Sequence, residues 1–127
     1  MNMNFDDTFT ERAKSALHLA HEAASALGHG YVGSEHILLG IAKEGSGAAA
    51  AVLRDNGLDP ELMEEMIVKY VGRGERSDTT AQGLTPRAAR VIELAVSDAR
   101  RLGSQQVGTE HLLIGILREA DGVAARI

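Results

Sequence analysis

Val32-Gly33-Ser34-Glu35-His36-Ile37-Leu38-Leu39-Gly40-Ile41 returns seventy-five residues on as Val107-Gly108-Thr109-Glu110-His111-Leu112-Leu113-Ile114-Gly115-Ile116. The same offset lays Thr10 on Thr85 and runs without a gap to Val52 on Ile127. Nineteen of those forty-three pairs are identical, which coincidence does not produce, so the chain is a direct duplication.

Outward from that core, each copy shows helical spacing. Ala13, Ala16, Leu17, Ala20, Ala24 and Leu27 are matched by Ala88, Val91, Ile92, Ala95, Ala99 and Leu102. Thr10 and Thr85 stand where helix caps belong, Pro86 suits a first helical position, and Gly28 and Gly103 follow as stops. The second element opens at Ser34 or Thr109 and carries Ile37, Leu38 and Ile41, or Leu112, Leu113 and Ile116, on one face. Gly40 and Gly115 lie inside it; a glycine there costs about 1 kcal/mol relative to alanine, and its recurrence predicts a close helix crossing. A third, Ala-rich helix is expected over 47–56, ended by Gly57. Asp59-Pro60 then starts a fourth, with Leu62, Met63, Met66, Ile67, Tyr70 and Val71 inward and Gly72 closing it.

The expected architecture is therefore all-α: one domain over 1–127 made of two tandem repeats of four helices. Repeat one spans 10–72, an exposed polar linker 73–84, and repeat two 85–127. The second repeat stops inside its third helix, so its counterpart of the fourth is missing and an apolar groove should be left open.

Composition agrees. With 44% apolar but only 3% aromatic residues among 127, the core must be built from Ala, Leu, Ile, Val and Met, which suits packed helices. A net charge of −5 argues against nucleic acid. The chain has no cysteine, hence no disulfide or thiolate site, which suits a reducing cytoplasm. The start Met1-Asn2-Met3-Asn4-Phe5 does not read as a signal peptide, and the longest small-apolar run, Ala48 to Leu53, cannot span a bilayer. No membrane partner is expected.

Two positions carry candidate chemistry in both copies: Glu35 and Glu110, and the cap threonines Thr10 and Thr85. An acidic residue in a first helical turn is also an ordinary helix start. The functional alternative is that each carboxylate takes a guanidinium while the helix start in the same copy takes an anion, with no basic side chain required. A phosphorylated arginine has both features. His36 and His111 lack metal-ligand partners in the sequence and read as packed, hydrogen-bonded histidines. His18 and His21 share a helix face, but two ligands with no nearby carboxylate make a poor metal site. No nucleophile elbow and no Gly-x-x-x-x-Gly-Lys-Ser/Thr loop is present, so neither a catalytic residue, a metal nor a bound ATP is expected in this chain.

Phe9-Thr10-Glu11-Arg12-Ala13, Leu27-Gly28-His29 and Val32 to Gly40, echoed by Leu84 to Ala88, Val107 to Leu113 and Gly122-Val123-Ala124-Ala125-Arg126, resemble the Clp repeat of Hsp100 AAA+ unfoldases. The resemblance covers nearly the whole chain and is strongest to the N-terminal domains of the ClpC subfamily. It implies a pseudo-twofold, non-catalytic domain above a hexameric AAA+ ring, capturing adaptor proteins and marked substrates for unfolding and degradation by ClpP. ATP and Mg would belong to ATPase modules outside this chain. It further implies two phosphoarginine pockets, which motif matching places at Thr10 with Glu35 and at Thr85 with Glu110. Two other functions remain open: a stand-alone Clp-repeat protein that sequesters peptides or toxins, and a small metal-dependent hydrolase using His18, His21 or His36.

Overall fold

Thr10 and Thr85 begin the two long helices as their sequence positions predict. Each hydroxyl accepts from the backbone N–H three residues on, Ala13 and Ala88, at 3.0 Å. The computed structural model describes residues 7–74 and 82–119. Within them run α1 (Glu11–Ala26), α2 (Ser34–Glu44), α3 (Gly47–Asp55), α4 (Pro60–Val71), α5 (Pro86–Arg101) and α6 (Thr109–Arg118). The third helix expected in repeat two falls on 120–127, outside the described residues.

Ser34 and Thr109 are not caps but first helical residues, and both are buried. The caps are Gly33 and Gly108. Their N–H groups donate to the ring Nδ1 of His36 and His111, at 2.8 and 2.9 Å, so a histidine fills the place usually taken by a glutamate or glutamine.

The α1–α2 crossing rests on small residues. Ala13, Ala16, Ala20 and Ala24 are fully buried, letting α2 approach until a Cβ on Gly40 would collide with the Ala16 carbonyl oxygen. The α5–α6 crossing repeats this with slightly more room: a Cβ on Gly115 would stand 2.6 Å from the Val91 carbonyl oxygen. Around these crossings lie Leu17, Ile37, Leu39, Ile41, Leu112 and Ile116, all buried.

Helix α4 packs on α2 through a narrower stripe than its composition suggests. Met63 and Ile67 are fully buried, whereas Leu62, Tyr70 and Val71, expected inward, are exposed. Met63 and Ile67, four apart, share one face; Leu62 and Tyr70 project from its flanks, and Val71, though in line with that face, is the helix's last residue. The linker also departs from expectation at its described ends. Gly74 N–H donates to the Leu27 carbonyl, Gln82 N–H to the Gly30 carbonyl, and Leu84 packs against the core. Residues 75–81 lie outside the described residues.

The two copies are tied differently at the ends of α2 and α6. Lys43 faces Glu64 of α4 at 3.8 Å, while its counterpart Arg118 reaches the fully buried Asp98 of α5 at 2.6 Å, with Arg101 a second partner at 3.2 Å. On α6, Ile114 and Leu117 are 36% and 65% exposed, whereas Leu39, the counterpart of Ile114, is wholly buried. Ile114 and Leu117 thus form an exposed apolar patch on α6 that α2 does not have at Leu39.

Glycine at the two crossings should be stringent in proportion to the space available. Gly40→Ala is expected to lower the unfolding free energy by about 2–3 kcal/mol and Gly115→Ala by less, because overpacking forces the helices apart. Gly30→Ala, where a Cβ meets nothing within 4 Å, serves as the control. Urea denaturation ranks the three; equal losses at positions 40 and 30 would refute the close crossing.

Candidate functional site

The segments entering the helices pair across the repeats. Val32 N–H donates to the Gly83 carbonyl at 2.6 Å and Thr85 N–H to the Val32 carbonyl at 2.9 Å, forming a parallel bridge between Val32 and Leu84. In the other half, Thr10 N–H donates to the Val107 carbonyl at 3.0 Å and Val107 N–H to the Thr8 carbonyl at 2.8 Å, bridging Phe9 to Val107. Each long helix thus begins beside the glutamate-bearing helix of the other copy.

This corrects the expected pairing. Glu35 does not share a site with Thr10; it lines a cleft of about 560 Å³ with Ser34, Thr85, Pro86, Arg87, Arg90 and Glu119. The second bridge brings the segment before Thr10 alongside the one before Glu110. The cause is topological: a parallel bridge aligns two incoming segments, so the helix starts that follow them lie side by side. The apolar residue just before each cap threonine, Phe9 or Leu84, is the sequence signal, since both pack into the core.

The cleft also differs in charge from the sequence reading. At the start of α5, Pro86 has no N–H and that of Ala88 is taken by Thr85, which leaves the Arg87 N–H of the first three. Positive charge comes instead from the side chains of Arg87 and Arg90 on the cleft wall. Arg87 Nε lies 3.4 Å from Glu119, and Arg90 pairs with Glu93 at 3.4 Å. At the start of α1, Arg12 is held by Ser46 at 2.8 Å and by Glu44 at 3.9 Å, while Ser15 occupies the position matching Arg90.

A second cleft, of about 420 Å³, shares Glu35 and Thr85 with the first and is lined further by His29, Tyr31, His36 and Arg73. Here the hydrogen-bond order assigns the histidine tautomers. Gly33 N–H donates to His36 Nδ1, so neutral His36 carries its proton on Nε2 and donates to His29 Nδ1 at 2.7 Å. His29 then donates from Nε2 to the Gly72 carbonyl at 2.7 Å. Burial first, and the charge of His29 second, hold the His36 pKa down at about 3. His36 is thus the packed histidine expected; the partnership with His29 was not expected, and the second copy has Ser104 in its place.

Among the described residues, no three His, Cys, Asp or Glu side chains gather as a metal site. His18 Nε2 lies 3.1 Å from Glu22, a carboxylate one turn away that the sequence reading passed over, but both are exposed. No helix among the described residues is long and apolar enough to cross a membrane.

Fold and site together define a duplicated helical domain whose two halves are joined through the entries of their helices. The chain belongs to the Clp repeat (R) N-terminal domain family, whose sequence profile matches residues 8–127. It is 50% identical over 119 residues to the negative regulator of genetic competence ClpC/MecB of Bacillus subtilis, covering 94% of this chain and 15% of that protein. It is 48% identical over 119 residues to the chaperone protein ClpB of Oceanobacillus iheyensis, covering 94% of this chain and again 15% of the relative. The crystal structure of the N-terminal domain of ClpD from Arabidopsis thaliana superposes with a TM-score of 0.79 at 24% identity, over 99% of this chain and 86% of that one.

The histidine network has a direct pH signature. The unfolded chain takes a proton on His36 near 6.5 and the folded chain only near 3, so stability is lost as the pH falls through that window. The contribution of this one group approaches about 1.4 kcal/mol per pH unit. Imidazole NMR resonances of His36 should remain those of the neutral Nε2–H form at pH 5; a midpoint near 6.5 in the folded protein would contradict the assignment.

Proposed function

We propose that this chain is the substrate- and adaptor-binding N-terminal domain of a ClpC-like AAA+ unfoldase, recognising proteins marked by phosphoarginine for unfolding and degradation by ClpP. The observation that carries the reading is one cleft holding the Glu35 carboxylate opposite the start of α5, with Arg87 and Arg90 on its wall. Phosphoarginine bears a planar cation and an anionic tip. A carboxylate takes the first through paired N–H bonds, and guanidinium groups with a helix-terminal N–H take the second. An unmodified arginine would use only the first half of that recognition, an acidic side chain only the second, and an apolar peptide neither.

The chain spans 15% of the length of the ClpC and ClpB relatives described above, so the ATPase modules that bind ATP and Mg, the hexameric ring and the ClpP contact belong to this proposal rather than to the chain itself. Two sites on each subunit of a ring, one at Glu35 and one at Glu110, would raise avidity for multiply marked substrates without any new contact. A cytoplasmic protein with adaptor partners, no nucleic acid and no membrane fits this role.

Isothermal titration with free phosphoarginine tests the reading. Saturable binding is expected, and Glu35→Ala with Glu110→Ala should abolish it; unchanged binding in that double variant rejects the assignment. Arg90→Ala should weaken the Glu35 cleft about 10- to 100-fold, the range set by one charged hydrogen bond of roughly 1.5–3 kcal/mol. It should spare the Glu110 side, where Ser15 stands in the matching place.

A further inference from the structure

We infer that Gly33 and Gly108 are positioning residues: by lacking a side chain, they let Glu35 and Glu110 fold their carboxylates back over the caps of α2 and α6. The inference rests on the phosphoarginine reading and deepens it. Neither the backbone nor the cap requires glycine at these places. The φ angles are −96° and −101°, open to any residue, and serine, aspartate or asparagine would ordinarily make the stronger cap. The cap N–H groups are already satisfied by the rings of His36 and His111.

What glycine leaves is space. The three nearest heavy atoms to a Cβ built on Gly33 are Oε1, Cδ and Oε2 of Glu35, the first in collision. On Gly108 they are the same three atoms of Glu110. The arrangement arises twice in unlike surroundings, for Glu35 is half-buried and Glu110 exposed, and their neighbours Ser34 and Thr109 differ. An unrestrained glutamate spreads over many rotamers, and ordering it on binding costs free energy. Folded over the cap, the Glu35 carboxylate lies on the wall of the α5 cleft, in space that a Cβ on Gly33 would take from it. The nearest atoms a methyl group on Gly33 meets are the far end of a flexible side chain, which can swing away while the helix stays in place.

The test uses the 127-residue chain carrying Glu110→Ala, so that a single cleft remains, titrated with free phosphoarginine by calorimetry and, for weak binding, by NMR. Gly33→Ala should weaken binding at least about fivefold, as expected when a charged group must be re-ordered on binding. The unfolding free energy should fall by no more than about 1 kcal/mol, the cost of alanine in place of glycine at a cap. In a Glu35→Gln background, already weakened, Gly33→Ala should cause no further loss, because the displaced carboxylate is no longer there. A second loss of the same size in that background shows action through the fold and overturns the inference. So does full affinity in Gly33→Ala while Glu35→Gln binds weakly, an outcome that leaves the phosphoarginine reading standing. Full affinity in Glu35→Gln itself removes that reading, and the positioning role with it.

Discussion

Two pairs of backbone bonds between extended segments carry the architecture. Val32 and Val107 are almost wholly buried, as is Phe9, and a peptide group taken into such surroundings without a partner costs free energy comparable to a lost hydrogen bond. The partners lie in the other repeat: Gly83 and Thr85 serve Val32, and Thr8 and Thr10 serve Val107. Neither half could satisfy its own entries alone. The same bonds fix where each long helix starts relative to the opposite glutamate, so the constraint that closes the fold also builds the site.

Within each half, packing depends on having little to pack. Alanines at every turn of α1, and glycine where α2 crosses it, bring two backbones close enough that no aromatic filler is needed. That accounts for a 127-residue chain folding with so few rings. It also makes the assembly intolerant at the crossing and tolerant at the surface, where Tyr31 and Leu102 stand exposed without disturbing anything beneath.

The elements of this fold were legible because their signals are local: the cap threonines, Pro86, the stop glycines and the period of Ala13 through Ala24 each speak for their own turn. The crossings were legible from one further fact, that Gly40 and Gly115 recur. What could not be read was which copy supplies each side of the site. Glu35 faces Thr85 through a bridge joining residues fifty-two apart in sequence, and duplication makes the same-copy and crossed pairings equally compatible with the motifs. The arginines of the cleft were hidden for a similar reason, since Arg87 and Arg90 look like the polar face of an amphipathic helix until the opposing wall is in place. The His29–His36 contact needed α4, because the Gly72 carbonyl at its end fixes the second ring.

The duplication has not kept the halves equal, and the differences gather on one side. The start of α2 is braced from α5 by the Val32–Leu84 bridge and from the end of α4 by the chain Gly33, His36, His29, Gly72. The start of α6 has the equivalent bridge and the same histidine cap, but Ser104 where His29 would continue the chain. Glu35 is half-buried at the junction of two clefts, whereas the Glu110 side chain is 58% exposed. A group already ordered by its surroundings surrenders less freedom when a ligand arrives, and a partly desolvated charge is less screened by water and salt. Arg90 adds a guanidinium to the Glu35 cleft that Ser15 withholds from the other. On the proposed phosphoarginine reading, order, desolvation and charge all rank the two sites in one direction: the Glu35 cleft would bind first, and the Glu110 side would contribute once a second mark on the same substrate is held near it.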